Sequence, residues 1–288
     1  MLIREYRLMM PLTIEEYHIA QLYMVAKASA QETGKEAGEG VEIVKNEPYV
    51  ENEHGLPPGQ YTEKWMYFKS KVPKFIAMLM PESALQLKEK SWNAFPKSLT
   101  IYENAWLGDK FHLSVETMHS NDRGTQFNAN NLSPEDLELR KVDYINISCE
   151  DPAVKFETNE DPRNFVSEKT LRGPYKEDWF ETEPFCMCAY KVVRLRFKVW
   201  GAQTKVEQWG QEGIRGPFVA YHRKLICWMD EWFGMTMHDI RQMEEAIRQE
   251  TLRKLIESKT GNIVVPEDDS QSREIAHVKL DHKRMSTP

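Results

Sequence analysis

Along the chain the period of apolar and polar positions changes several times. Residues 2–8, LIREYRL, alternate as a short strand that Pro11 ends. Thr13 followed by Glu16 has capping-box spacing, which predicts a helix from there to about Ala30. The stretch Gly34 to Gly40 reads as a loop, VEIV as a strand, and NEPYVENEHGLPPG as a long polar loop. Alternation predicts strands over 61–69, about 98–103, 111–118, 142–148 and 188–200. Helical patterns fall near 73–80, after the Ser133-Pro134-Glu135 start signal, over about 217–232 and over 237–258. From 149 to 185 the acidic, Pro-bearing sequence has weak periodicity and is expected to wrap the surface as an ordered loop. Little apolar periodicity remains in the last thirty residues, so 1–258 reads as one domain and 259–288 as a mobile polar tail. The order is α+β, a mostly antiparallel sheet with a long helix near each end.

Several segments place polar groups on their apolar faces. In KVVRLRFKVW the set Lys191, Val193, Leu195, Phe197 and Val199 is apolar except for the lysine, while Val192, Arg194, Arg196, Lys198 and Trp200 form a basic opposite face. A lysine aimed inward must find an anion, because burying an unpaired ammonium is prohibitive. Alternation also puts Thr117 with Phe111, Leu113 and Val115, and Thr62 and Lys64 with Met66 and Phe68. Gln21 lies within the helical stripe of Ile14, Tyr17, Met24, Val25 and Ala28, and Glu244 within that of Met237, Ile240 and Ile247. Each position alone has an ordinary explanation, such as a snorkelling lysine or a core amide bonded to its neighbours. Together, five such segments predict a polar cluster inside an apolar cavity, suited to a ligand with a polyhydroxylated or phosphorylated head and a greasy body.

Composition narrows the class. Formal net charge is -7, from 38 Lys and Arg against 45 Asp and Glu, which argues against a nucleic-acid partner. No window is long and apolar enough to span a bilayer and no signal-peptide order opens the chain, so a soluble cytoplasmic protein is expected. Eight Trp and 14 Met point to a large soft apolar surface to be enclosed or contacted. Cys149, Cys186, Cys188 and Cys227 have no zinc-ribbon spacing, and no metal site is expected. No GxSxG, P-loop, GxGxxG after a strand, HExxH or paired-carboxylate motif occurs, so no catalytic residue is expected. His222 reads as a helix-surface or groove histidine.

The segments MLIREYRLMMPLTIEEYHIAQLYMVAKAS, VEIVKNEPY, GQYTEK, EKSWNAFP, EDPRNFVSEKT, CAYKVVRLRFKVWG, AYHRKLICWMDEW and MTMHDIRQMEE resemble, in order, the phosphatidylinositol transfer protein domain over about residues 1–256. The resemblance implies a helix-grip fold related to steroidogenic-acute-regulatory (START-like) domains: a curved, mostly antiparallel sheet with long flanking helices around a single phospholipid. It implies that Thr62, Lys64, Asn93 and Glu244 bind the inositol ring and that Gln21, Thr100, Thr117 and Lys191 hold the phosphate. Six of these eight also stand out by periodicity; Asn93 and Thr100 do not. Noncatalytic transfer of phosphatidylinositol in exchange for a second phospholipid is implied, with no cofactor beyond the cargo lipid. For the second lipid, Tyr221 before His222 and ETMHSNDRGTQ resemble the phosphatidylcholine-exchanging class. The chain start and Val199-Trp200 resemble the retinal-degeneration-B class associated with phosphatidic acid. A transient membrane surface is the expected partner, docked through Val199 and Trp200, with a monomeric protein and a lipid kinase or scaffold as a further partner. Where family members carry a thiol-sensitive cysteine this chain has Ser98; where they carry TGRGP it has TLRGP, with Leu171 in a glycine's place; Ser167 matches a family phosphorylation position. A phosphatidylinositol-binding sensor that does not transfer lipid is the competing expectation.

Overall fold

Eight strands, β1 (Leu2–Met10), β2 (Gly40–Tyr49), β3 (Gly59–Tyr67), β4 (Gln86–Ala94), β5 (Lys97–Glu103), β6 (Phe111–Ser120), β7 (Arg140–Asn146) and β8 (Met187–Phe197), join in one open sheet of order β2-β3-β4-β5-β6-β8-β1-β7. The computed structural model describes residues 1–32, 40–67, 81, 84–151, 154, 157–198, 201 and 203–260. Neighbouring strands run antiparallel except β1 and β7, which are parallel. The helices among the described residues are α1 (Ile14–Glu32), α2 (Pro134–Leu139), α3 (Trp179–Thr182), α4 (Gln203–Cys227), α5 (Met229–Trp232) and α6 (Met237–Thr260). The expected α+β class, with a mostly antiparallel sheet, is what is found.

Local chemistry explains where these elements start and meet. The capping box forms as its spacing predicts: Thr13 N–H donates to Glu16 Oε2 at 3.0 Å, and Glu16 N–H donates to Thr13 Oγ1 at 3.2 Å. Arg172 then grips both oxygens of Glu16, at 3.1 and 2.7 Å, and ties a distant loop to the start of α1. Helix α4 lies close on β8 because Gly210 has no side chain; a Cβ there would sit 2.6 Å from Leu195 Cδ2. Glu207 accepts from Phe197 N–H at 2.8 Å, and Tyr6 donates to Gln211 at 3.0 Å, so polar pins fix the same packing. The core lies between the sheet and helices α1, α4 and α5, where Tyr6, Leu8, Met10, Tyr17, Leu225 and Trp232 are fully or almost fully buried. Helix α6 packs on α1 and on β2, at the other end of the sheet.

Several elements differ from the sequence expectation. β2 continues through Asn46-Glu47-Pro48-Tyr49, past a bulge between Ile43 and Lys45, so part of the expected polar loop is strand. Pro48 is tolerated because β2 is an edge strand and needs no outward N–H bond. β4 was not expected at all, because its inward residues Glu89, Ser91 and Asn93 are polar and its outward face carries Lys88 and Lys90, which leaves no apolar alternation. α4 begins at Gln203 rather than near 217, and Pro217 lies inside it. The stretch 149–185 is largely irregular and exposed among its described residues, as expected, but it is anchored inward at several points. Tyr175 and Trp179 belong to the core, and the buried Arg223 holds Asp161 at 2.7 Å and the Cys149 carbonyl at 3.0 Å. On α1, Val25 is exposed while Ala20 and Tyr23 are buried, so the buried stripe is rotated from the one expected. The helix expected near 73–80 and the tail from 261 onward lie outside the described residues.

Candidate functional site

Cross-strand partners in a sheet share a face, so the ladder register reveals what the inner face carries. One row runs Gln60, Asn93, Ser98, Thr117, Lys191, Tyr6; the next runs Asn46, Thr62, Ser91, Thr100, Val115, Val193. A third runs Lys64, Glu89, Tyr102, Leu113, Leu195. Thr62, Lys64, Asn93, Thr100, Thr117 and Lys191, which come from five different strands, thus lie on one face within three adjacent rows. Polar residues occupy the β3–β5 side and apolar ones the β6–β8 side of the second and third rows. Gly59 brings β3 against β4 beside Asn93, since a Cβ there would lie 2.2 Å from the Asn93 carbonyl oxygen.

The two lysines differ in their company. Lys64 Nζ lies 3.3 Å from Glu89 Oε1 and is neutralised in place. Tyr102 also bonds Glu89, and burial together with that carboxylate pushes its phenol pKa well up. Lys191 has no carboxylate partner among the described residues; its ammonium faces the Phe218 ring, 5.4 Å from the centroid. Lys191 is half-buried, and loss of water around its ammonium lowers its pKa from 10.5 to about 8.

Around Lys191 stands a buried aromatic wall. His222 Nδ1 bonds the Phe218 carbonyl at 2.7 Å, and a carbonyl only accepts, so Nδ1 carries the proton and Nε2 accepts from Tyr17 O–H at 2.8 Å. His119 repeats this polarity on the Pro96 carbonyl at 2.8 Å, and its Nε2 has no partner among the described residues. Burial first, then the Lys191 charge, pull both imidazoles down to about 3, against the opposite pull of those carbonyls. His222 is therefore a neutral core residue, not a helix-surface or groove histidine. Gln21 on α1 also has a buried Nε2 without a partner among the described residues.

At the far end of the face, Glu244 on α6 receives Asn46 Nδ2 at 3.3 Å and Arg241 at 2.5 Å, both on Oε2. Asn46 is the direct partner of Thr62. Asn46, Gln60, Glu89, Ser91, Tyr17 and His119 escaped the sequence reading. Asn46, Glu89 and Ser91 lie where β2 and β4 were not read as strands, and Gln60 lies one residue before the strand expected from 61; the histidine lies two residues after Thr117, a spacing that could have found it.

Of the remaining candidates, all but Ser98 lie elsewhere. Ser98 is on the inner face between Asn93 and Thr117. Ser167 is fully buried rather than a surface serine; its hydroxyl donates to Asp230 at 2.6 Å, and the Glu168 and Lys169 N–H groups donate to the same carboxylate. Leu171 keeps the left-handed turn with φ 58°. The expected basic face of β8 is largely neutralised or covered: Arg194 pairs with Glu116 and Asp136, and Val192 is buried with Ile3 and Leu132. Val199 and Trp200 lie outside the described residues. Burial raises the thiol pKa values of Cys186 and Cys227 to about 11 and about 12 and lifts Cys188 further, which disfavours the thiolate that metal binding or nucleophilic attack needs. Among the described residues no three His, Cys, Asp or Glu side chains converge as metal ligands, and no helix is long and apolar enough to cross a membrane.

Comparison with known proteins places this geometry. The chain is 47% identical over 264 residues to phosphatidylinositol transfer protein 2 of Dictyostelium discoideum, covering 91% of this chain and 100% of that protein. It is 43% identical over 263 residues to the human phosphatidylinositol transfer protein beta isoform, covering 88% and 95%. With the cytoplasmic phosphatidylinositol transfer protein 1 of Drosophila melanogaster it shares 42% over 261 residues, covering 90% and 93%. The sequence profile described as phosphatidylinositol transfer protein matches residues 1–249, and the chain belongs to that family.

Proposed function

We propose that the protein encloses one phospholipid against the inner face of the sheet and carries phosphatidylinositol between membranes without altering it chemically. The observation that carries this reading is the contrast between the two lysines. Lys191 has no anion among the described residues and invites a phosphodiester, together with Thr117, Thr100 and Gln21, whose amide lacks a partner. Lys64 is already paired, so that end, with Thr62, Asn93 and Glu244, suits uncharged ring hydroxyls. The lipid therefore lies with its phosphate toward β6 and β8 and its inositol ring toward β3, β4 and α6. Enclosure is what makes transfer possible: each methylene taken from the bilayer into water costs about 0.8 kcal/mol, and two acyl chains carry dozens.

Phosphatidylcholine is the proposed exchange partner and phosphatidic acid the alternative. Docking is assigned to Val199 and Trp200, with the protein visiting the membrane as a monomer from the cytoplasm. Modification at Ser167 requires its turn to open, because the hydroxyl is buried against Asp230. A lipid kinase or scaffold remains the proposed further partner. The test is movement of labelled phosphatidylinositol from donor to acceptor vesicles: acceleration supports the reading, and tight one-to-one binding without acceleration would leave a sensor in its place.

A further inference from the structure

Beside Glu244 lies a solvent-open cleft of about 370 Å³ between β2, β3 and α6, lined by Asn46, Gln60, Arg241, Glu244, Glu245 and Arg248 among others, with Asn46 exposed at its edge. That volume falls within the range of small-molecule pockets. Its two arginines each pair with one of its glutamates, Arg241 with Glu244 and Arg248 with Glu245, so it is polar without net charge. A neutral polyol suits such a pocket better than a charged group does.

Two amides run through it in a fixed order. A carboxylate can only accept, so Asn46 must turn its Nδ2 toward Glu244 Oε2, at 3.3 Å. Its Oδ1 then accepts from Gln60 Nε2, at 2.7 Å. Across the ladders Asn46 stands opposite Thr62, and Gln60 stands opposite Asn93. The pair thus links the helix-borne carboxylate to the positions of two other proposed ring ligands. Both grips on Glu244 fall on one oxygen, Oε2, and Oε1 takes no bond among the described residues.

We propose that Asn46 and Gln60 are positioning residues that hold Glu244 by one oxygen and leave the other to a ring hydroxyl, and so set the preference for a polyol head group over other phospholipid head groups. The proposal rests on the lipid-carrier reading above. Asn46→Asp replaces the amide donor by a second carboxylate facing Glu244; Gln60→Leu removes the support behind Asn46.

Each protein is equilibrated with vesicles of equimolar phosphatidylinositol, phosphatidylcholine and phosphatidic acid and re-isolated, and the bound lipids are quantified by mass spectrometry. The ratio of phosphatidylinositol to the other two lipids is expected to fall about tenfold in Asn46→Asp and about threefold in Gln60→Leu. Because a ratio does not depend on how much protein is folded, an equal partial loss of all three lipids, which leaves the ratio unchanged, counts against the proposal. It is overturned if the ratio stays within about twofold of the unaltered protein, and Gln60→Leu decides if Asn46→Asp does not fold. An unaltered protein that takes up no phosphatidylinositol overturns the carrier reading itself, a separate failure visible before any variant is made.

Discussion

With its pKa lowered by desolvation to about 8, Lys191 in the empty protein gives up its proton well before an exposed lysine does. In the proposed site a bound phosphodiester would restore the charge, so above pH 8 ligand binding should take up a proton and weaken as pH rises. Between pH 7 and 9.5 the affinity for phosphatidylinositol is expected to fall about 30-fold, and Lys191→Arg, always charged, should flatten the profile. Stability of the empty protein moves the opposite way. The unfolded chain holds the Lys191 proton up to about pH 10.5 and the folded one only to about 8, so this group adds stability as pH rises through that interval. His119 and His222 act at the acid end. Both are held neutral to about pH 3 while the unfolded imidazoles protonate near 6.5, so stability is lost as pH falls below 6.5. The two together should cost about 4 kcal/mol between pH 7 and 5. Urea unfolding at those two values checks it: a difference of about 2 kcal/mol means that one ring is charged in the folded state at pH 5, and one under about 1 kcal/mol that both are. The ring subsite makes its own prediction: Thr62→Asp or Glu244→Lys should abolish phosphatidylinositol transfer, and intact transfer in either removes that residue from the head-group assignment.

At the scale of elements, the turn Ser167–Arg172 shows how a loop of weak periodicity is nonetheless fixed. Asp230 accepts from the Ser167 hydroxyl and from two backbone N–H groups, and Leu171 sits in the left-handed region as a 79% exposed residue. A leucine gains nothing there from burial and strains its backbone, so Leu171→Gly should stabilise the protein by about 0.5 to 1 kcal/mol in thermal unfolding. A loss of stability would mean that the exposed side chain makes contacts worth more than the strain. α1, β6 and β8 were legible because one face is apolar and the other polar, and because Thr13 and Glu16 mark a helix start. β4 was not, since the inner face there carries Glu89, Ser91 and Asn93 for polar company and its outer face meets solvent. The site followed the same division: Lys191 and Thr117 stood out against apolar neighbours, whereas Asn46 and Gln60 lie among other polar residues and only the register brings them to Thr62 and Asn93.

For the molecule as a whole, charge and enclosure make opposite demands on a carrier. Reaching the bilayer requires contact, yet a net charge of -7 repels an anionic surface, and the β8 patch that would offset it has lost Arg194 to Glu116 and Asp136. Arg196 on that strand and Lys198 just beyond it remain, too few to reverse the field of the chain. Transfer should therefore be slower to vesicles rich in anionic phospholipid than to neutral ones at low ionic strength, where the Debye length is about 30 Å. At 0.15 M salt it contracts to about 8 Å, and the two rates should converge, because only charges near the contact then act. A local basic surface that dominates docking predicts the reverse, faster transfer to anionic vesicles that salt slows. Measuring both vesicle types at the two ionic strengths separates long-range repulsion from local attraction. If salt leaves the ratio of rates unchanged, electrostatics does not limit the encounter, and apolar contact sets the rate instead.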